Sequence, residues 1–302
     1  MNPLDFVRDP TTGPVALCTA ALGAVSGIIG TFAVVRRRSL QGDAVSHAAL
    51  PGVALAYILG GRTELTLVLG AAVTGWVAMA IVSGIVRTSR VPFDAALGGA
   101  LAVFFGLGIV LLSYLQRHVP GAATVRPASY LFGQDAALIG LGDLVPVLGL
   151  GGAAVLIVGL LWKEFKLLAF DPDFAASLGL PTRRLDLLLT ALVVIAVVIG
   201  LQTVGVVLMS ALIVAPAAAA RQWSNRLGRV TLIAGAFGAA AGFLGTWLSL
   251  ALSAPRATVP TGPTIVLVVT GFAVGSILLA PSRGVLWKIR RPRPLAMPEV
   301  TA

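Results

Sequence analysis

The chain has 302 residues, 57% of them hydrophobic and only 11% charged, with a mean hydropathy of +0.96. A soluble domain carries about a quarter charged residues, so a water-soluble class is excluded and a chain that crosses a membrane many times is expected. The net charge of +10 would suit nucleic acid, but the cations sit between apolar runs and no stripe of Lys/Arg alternates with aromatics, which excludes that partner.

The start, "MNPLDFVRDPTTG", has no basic leader and no cleavage signal, so the first apolar run is expected to stay on the chain. That run, 14–35, holds Cys18, the one cysteine. Internal disulfides and multi-thiolate metal sites are thereby excluded. Further runs at 44–61, 65–86, 95–116, 144–162, 230–252 and 264–280 also lack Asp, Glu, Lys and Arg. Each is long enough to span as a helix at about 1.5 Å per residue.

Residues 187–220 are also free of charge. As one helix they would measure about 51 Å against a hydrocarbon layer of about 30 Å. "GLQTVG", 200–205, is the expected bend, giving spans near 184–201 and 204–220. Residues 117–143 are expected as a long external loop. In "KEFKLLAFDPDFAASLGLP", Asp171 and Pro172 read as an N-cap and first helical residue, with Gly179 and Pro181 as the stop. Phe174, Leu178 and Leu180 would form an apolar patch on this short cytoplasmic helix.

Seventeen of the 22 Lys and Arg residues fall on alternate connections and in the basic stretch 282–302. The positive-inside rule then sets an external N-terminus, a cytoplasmic C-terminus and nine crossings, or eight if one segment is incomplete. The expected fold is all-α, a single polytopic bundle over 1–302 rich in close-packing Gly and Ala.

Asp43 and His47, in "GDAVSHAALPG", lie one turn apart on one helix face. Ionisable groups within a membrane are costly and mark sites of function. Pro51 has no N–H, so the carbonyl of His47 loses its helical donor. Carboxylate, imidazole and freed carbonyl could together hold a divalent cation. A proton relay, or a carboxylate that merely orients the ring or lies among headgroups beside Arg36–Arg38, fits the same residues. Two ligands fall short of a closed site. A symmetric dimer would supply four, while His118 is a weak further candidate.

"RRRSLQGDAVSHAALPGVALAYILGG" (36–61), "YLFG" (130–133), "KLLAFDPDFAASLGLP" (166–181) and "VGVVLMSALIVAPAAAAR" (204–221) resemble, in order, blocks of the manganese/zinc/iron permease family of ABC importers. The resemblance covers about residues 15–281. It implies an integral cell-membrane permease that pairs with a second copy or a paralogue, two cytoplasmic ATPase subunits and an external metal-binding protein. Asp43 and His47 match the family's metal ligands, and the metal is cargo, with no permanent cofactor. Asp171, Pro172, Phe174, Ala175, Leu178 and Gly179 match the segment that docks on the ATPase. Pro51, Ser210, Leu212 and Pro216 are expected along the ion path, since Pro216 also frees a carbonyl, that of Leu212; a packing kink serves Pro216 equally.

The chain has no Gly-Lys dipeptide and so no Walker A loop. ATP hydrolysis is therefore expected on another chain, and this one is expected to be a transporter subunit rather than an enzyme. Import of iron chelates or corrinoids, and cation/proton exchange, are the alternative functions.

Overall fold

The computed structural model describes residues 12–119, 141–253, 259–281 and 284, and among these every regular element is a helix. In chain order they are α1 (Thr12–Val35), α2 (Gln41–Ile58), α3 (Glu64–Thr88), α4 (Phe93–His118), α5 (Leu141–Leu160) and α6 (Trp162–Phe170). There follow α7 (Pro172–Ser177), α8 (Thr182–Val204), α9 (Val206–Trp223), α10 (Leu227–Leu252) and α11 (Thr261–Leu279). Each expected span corresponds to one of the longer helices, with ends displaced by a few residues.

Among the described residues, six helical segments are long and apolar enough to cross a membrane: α1, Leu65–Thr88, α4, Thr182–Leu201, α10 and α11. Residues Leu144–Leu160 of α5 with α6, bent by 73° at their junction, raise this to seven. The expected eight or nine crossings count α2 and α9 as well. In α2 the polar residues Gln41, Asp43, Ser46 and His47 dilute an otherwise apolar helix.

The two halves of 187–220 separate at Gly205, whose φ of 84° and ψ of 167° belong to a region open almost only to glycine. The expected external loop begins late, because α4 continues through His118. Residues 120–140, including "YLFG", lie outside the described residues, as does the basic stretch 282–302 apart from Gly284.

Small residues set the closest helix approach. A Cβ on Gly23 would stand 2.1 Å from the Gly238 carbonyl oxygen, and one on Gly238 would stand 2.0 Å from that of Gly23. Gly27 and Gly242 repeat the contact one turn away, so α1 and α10 touch backbone to backbone. Thr19 and Thr246 add a hydroxyl–hydroxyl hydrogen bond of 2.9 Å across the pair. Gly238→Leu is expected to force these helices apart. Detergent gel filtration should then show loss of most of the monodisperse protein relative to the unaltered chain.

Helix α2 is wedged among its neighbours. Gly52 meets the Gly70 carbonyl of α3, Gly108 of α4 fits against Leu50 and Pro51, and Gly42 faces Ile213 of α9. At the far end of α1, the Phe32 ring packs edge-on against Trp162 and Phe165, centroids 5.7 and 5.9 Å away. Phe165 and Leu168 are buried, so α6 is pinned to the bundle by one face.

Candidate metal site

Between Gln41 and Ala54 every residue of α2 is buried except Asp43 and His47. A helix surrounded on nearly all sides thus leaves one opening, and that opening carries the two ionisable groups. Asp43 Oδ1 lies 3.4 Å from His47 Nε2, with side chains 36% and 18% exposed. Two atoms each about 2.1 Å from one ion at a tetrahedral angle are separated by about 3.4 Å. The spacing of the pair therefore suits a single divalent cation.

The far side of the imidazole faces protein. Phe105 of α4 meets it edge-on, centroids 4.8 Å apart. His47 Nδ1 is buried with no hydrogen-bond partner, as is Gln41 Nε2 one and a half turns earlier. Buried polar atoms are nearly always satisfied, so this end of α2 keeps hydrogen-bonding capacity that its own fold does not use. The ring is held by packing, with Nε2 directed to the open side.

Among the described residues, no group of three or more His, Cys, Asp or Glu comes together. Two such groups fall short of the four that a closed site takes. His118 stacks on Tyr114 at 4.4 Å and its Nδ1 lies 3.0 Å from the Tyr114 carbonyl. It stands 13 residues beyond Phe105, about 20 Å along α4, and so does not join the pair.

The other expected pathway residues have different surroundings. Pro51 is buried within α2. Leu212 is fully buried in an apolar cluster with Cys18, Leu22 and Ile265, and Pro216 is buried inside α9. Ser210 is half-buried. Leu212 and Pro216 are thus packed within this chain's bundle.

The expected docking segment forms α7 and its flanks. The Asp171 carboxylate accepts the Phe174 N–H at 2.9 Å, with Pro172 at the first helical position. Gly179, at φ 80°, closes the helix as the Gly179 N–H donates to Ala176 O and the Leu180 N–H to Ala175 O, at 3.0 and 3.2 Å. Phe174 and Leu178 project outward, joined by Phe170, whereas Ala175 is buried and anchors the helix. Leu180 turns inward against the core, so the exposed patch is Phe170, Phe174 and Leu178.

A charge clasp joins the start of α8 to the connection before α2. The Asp186 carboxylate of α8 accepts hydrogen bonds from Arg36 and, at 2.7 Å, from Arg38. Arg38 also lies over the Phe93 ring, 4.5 Å from its centroid. Burial lowers its pKa from the usual value, Arg36 adding to this and Asp186 opposing it.

The profile of the ABC 3 transport family matches residues 8–280. The chain belongs to the ABC 3 transport family. As a member it is 45% identical, over 291 residues, to the zinc transport system membrane protein TroC of Treponema pallidum, covering 96% of this chain and 95% of that one. It is 41% identical to the manganese transport system membrane protein MntC of Bacillus subtilis, over 94% of this chain and 64% of the relative. The solved structure of PsaBC from Streptococcus pneumoniae in complex with Fab matches with a TM-score of 0.81 at 29% identity, covering 96% of this chain and 99% of that chain.

Two features of this ABC 3 family chain escape sequence reasoning. Asp186 could have been noticed as the one carboxylate just inside a long apolar run, but its partners are about 150 residues away. Phe105 carries no signal, since an aromatic in an apolar span looks like any other.

Proposed function

We propose that this chain is the membrane-spanning subunit of an ATP-driven importer of a divalent transition metal: manganese, zinc or iron. Carrying the reading is the opening on α2, where the only accessible side chains of four buried turns are a carboxylate and an imidazole at ligand spacing. Relatives named for zinc and manganese transport support it. A second permease copy or a paralogue faces this opening and completes the shell across a two-fold axis. The ion exchanges water for Asp43 and His47 as it passes between the copies.

In this reading the chain crosses the cell membrane eight or nine times, with its C-terminus in the cytoplasm. An external metal-binding protein delivers the ion. Cytoplasmic ATPase subunits engage Phe170, Phe174 and Leu178. Their closure moves α7 and α8, and the Asp186 clasp passes that motion to Arg36 and Arg38, which precede α2 by one turn.

The test is uptake by vesicles holding this chain with its ATPase and binding protein, supplied with each ion singly. ATP-dependent accumulation of one or more of the three is expected. Accumulation that follows a proton gradient without ATP, or of intact chelates only, would overturn the proposal.

A further inference from the structure

A cavity of about 580 Å³ opens beside the clasp, between α3 and the start of α8. Its lower wall carries Arg36, Arg38, Arg87 and Arg183, with Asp186 as the one carboxylate. Asp186 is already shared by Arg36 and Arg38. Among the described residues no carboxylate pairs with Arg87 or Arg183. The basin is strongly cationic where positive charge is unneutralised.

Its upper wall is different. Trp76, Ala80 and Gly84 follow one face of α3 away from Arg87. Trp76 to Arg87 spans eleven residues, about 16 Å along the helix and so about half the hydrocarbon thickness. A Cβ on Gly84 would meet nothing, so the track is open at that point. Beyond it α3 presents exposed Val73, Val77 and Ile81. Arginines at the foot of an apolar track that runs to mid-helix place a headgroup-sized charge beside an acyl-length groove.

We propose that this basin binds the phosphate headgroup of an anionic phospholipid, with one acyl chain lying along α3 to Trp76. The arginine forks suit phosphate oxygens, and basic pockets between helices on the cytoplasmic side hold anionic lipids. A free phosphate would need the arginines alone and would leave the apolar track uncovered. The lipid sits against Leu168 and Pro172 of the docking segment, where its charge is placed to influence coupling. This goes beyond the transport reading and needs no metal for its test.

The experiment uses the purified full chain in nanodiscs containing dibrominated phosphatidylglycerol or phosphatidylcholine. Emission lost on Trp76→Phe reports the site. Phosphatidylglycerol is expected to quench it preferentially, and the double variant Arg87→Gln/Arg183→Gln should weaken that preference roughly thirtyfold in apparent affinity. Gly84→Leu fills the track without altering charge and should lower quenching as well. Equal quenching by both lipids, or a preference unchanged in the double variant, overturns the proposal. So does displacement by millimolar inorganic phosphate, which would assign a free anion. A double variant that keeps the lipid preference but loses the ATPase would assign the basin to protein.

Discussion

Asp43→Ala and His47→Ala are each expected to lower metal uptake by two orders of magnitude or more, while the chain still assembles with its ATPase. The size follows from the role. Groups that merely orient a metal ligand cost about 10- to 100-fold when removed, and a ligand itself should cost at least as much. Where the partner is a second copy of this chain, each substitution also strikes twice across the proposed axis. Folding should survive, since these are the two side chains of their helix stretch that the bundle does not bury. Asp43 supplies no packing face, His47 gives up its edge contact with Phe105, and their mutual contact is a 3.4 Å approach at an open side. Uptake is measured in reconstituted vesicles, and assembly by copurification with the ATPase. Normal uptake in both variants would end the metal-site reading. Activity of the double alanine variant with a chelated cargo would point to a wide cavity without direct ligands.

How far the sequence discloses this molecule depends on the range of the forces involved. The helices are legible because lipid demands long uncharged runs, and Gly205 marks the break in 187–220 through its own backbone freedom. The helix cap at Asp171 and the stop at Gly179 are equally local, and both fall where residue chemistry places them. Asp43 and His47 stand out because charge is rare in such a chain. What a pattern cannot carry is which face of a helix meets which neighbour. Leu180 looks like a member of the exposed patch yet turns to the core. The Arg36–Asp186 and Arg38–Asp186 bonds join segments about 150 residues apart. From the sequence these arginines read only as topological charge. Their pairing depends on how α1 and α8 pack, and only the assembled bundle fixes that.

Phe174→Asp is expected to cost the complex about 2–4 kcal/mol, the range for truncating an aromatic anchor at an interface. At micromolar concentrations that suffices to separate permease from ATPase in gel filtration. The side chain is half exposed, and its neighbours Phe170 and Leu178 are more so. A fold does not place three large apolar groups in water on one short segment without something to cover them. Burying Asp in the covered state would add a desolvation penalty to the lost contact. The substitution leaves the bundle untouched, because α6 is held through Phe165 and Leu168 and α7 through Ala175, all buried. The Phe174 N–H keeps its bond to Asp171, so the helix start is preserved as well. Asp43 and His47 are unaltered, so loss of uptake without loss of the folded chain would be an uncoupling effect. A variant that copurifies normally with the ATPase would show that the patch lies on the membrane surface, leaving the clasp at Asp186 with no motion to pass to α2.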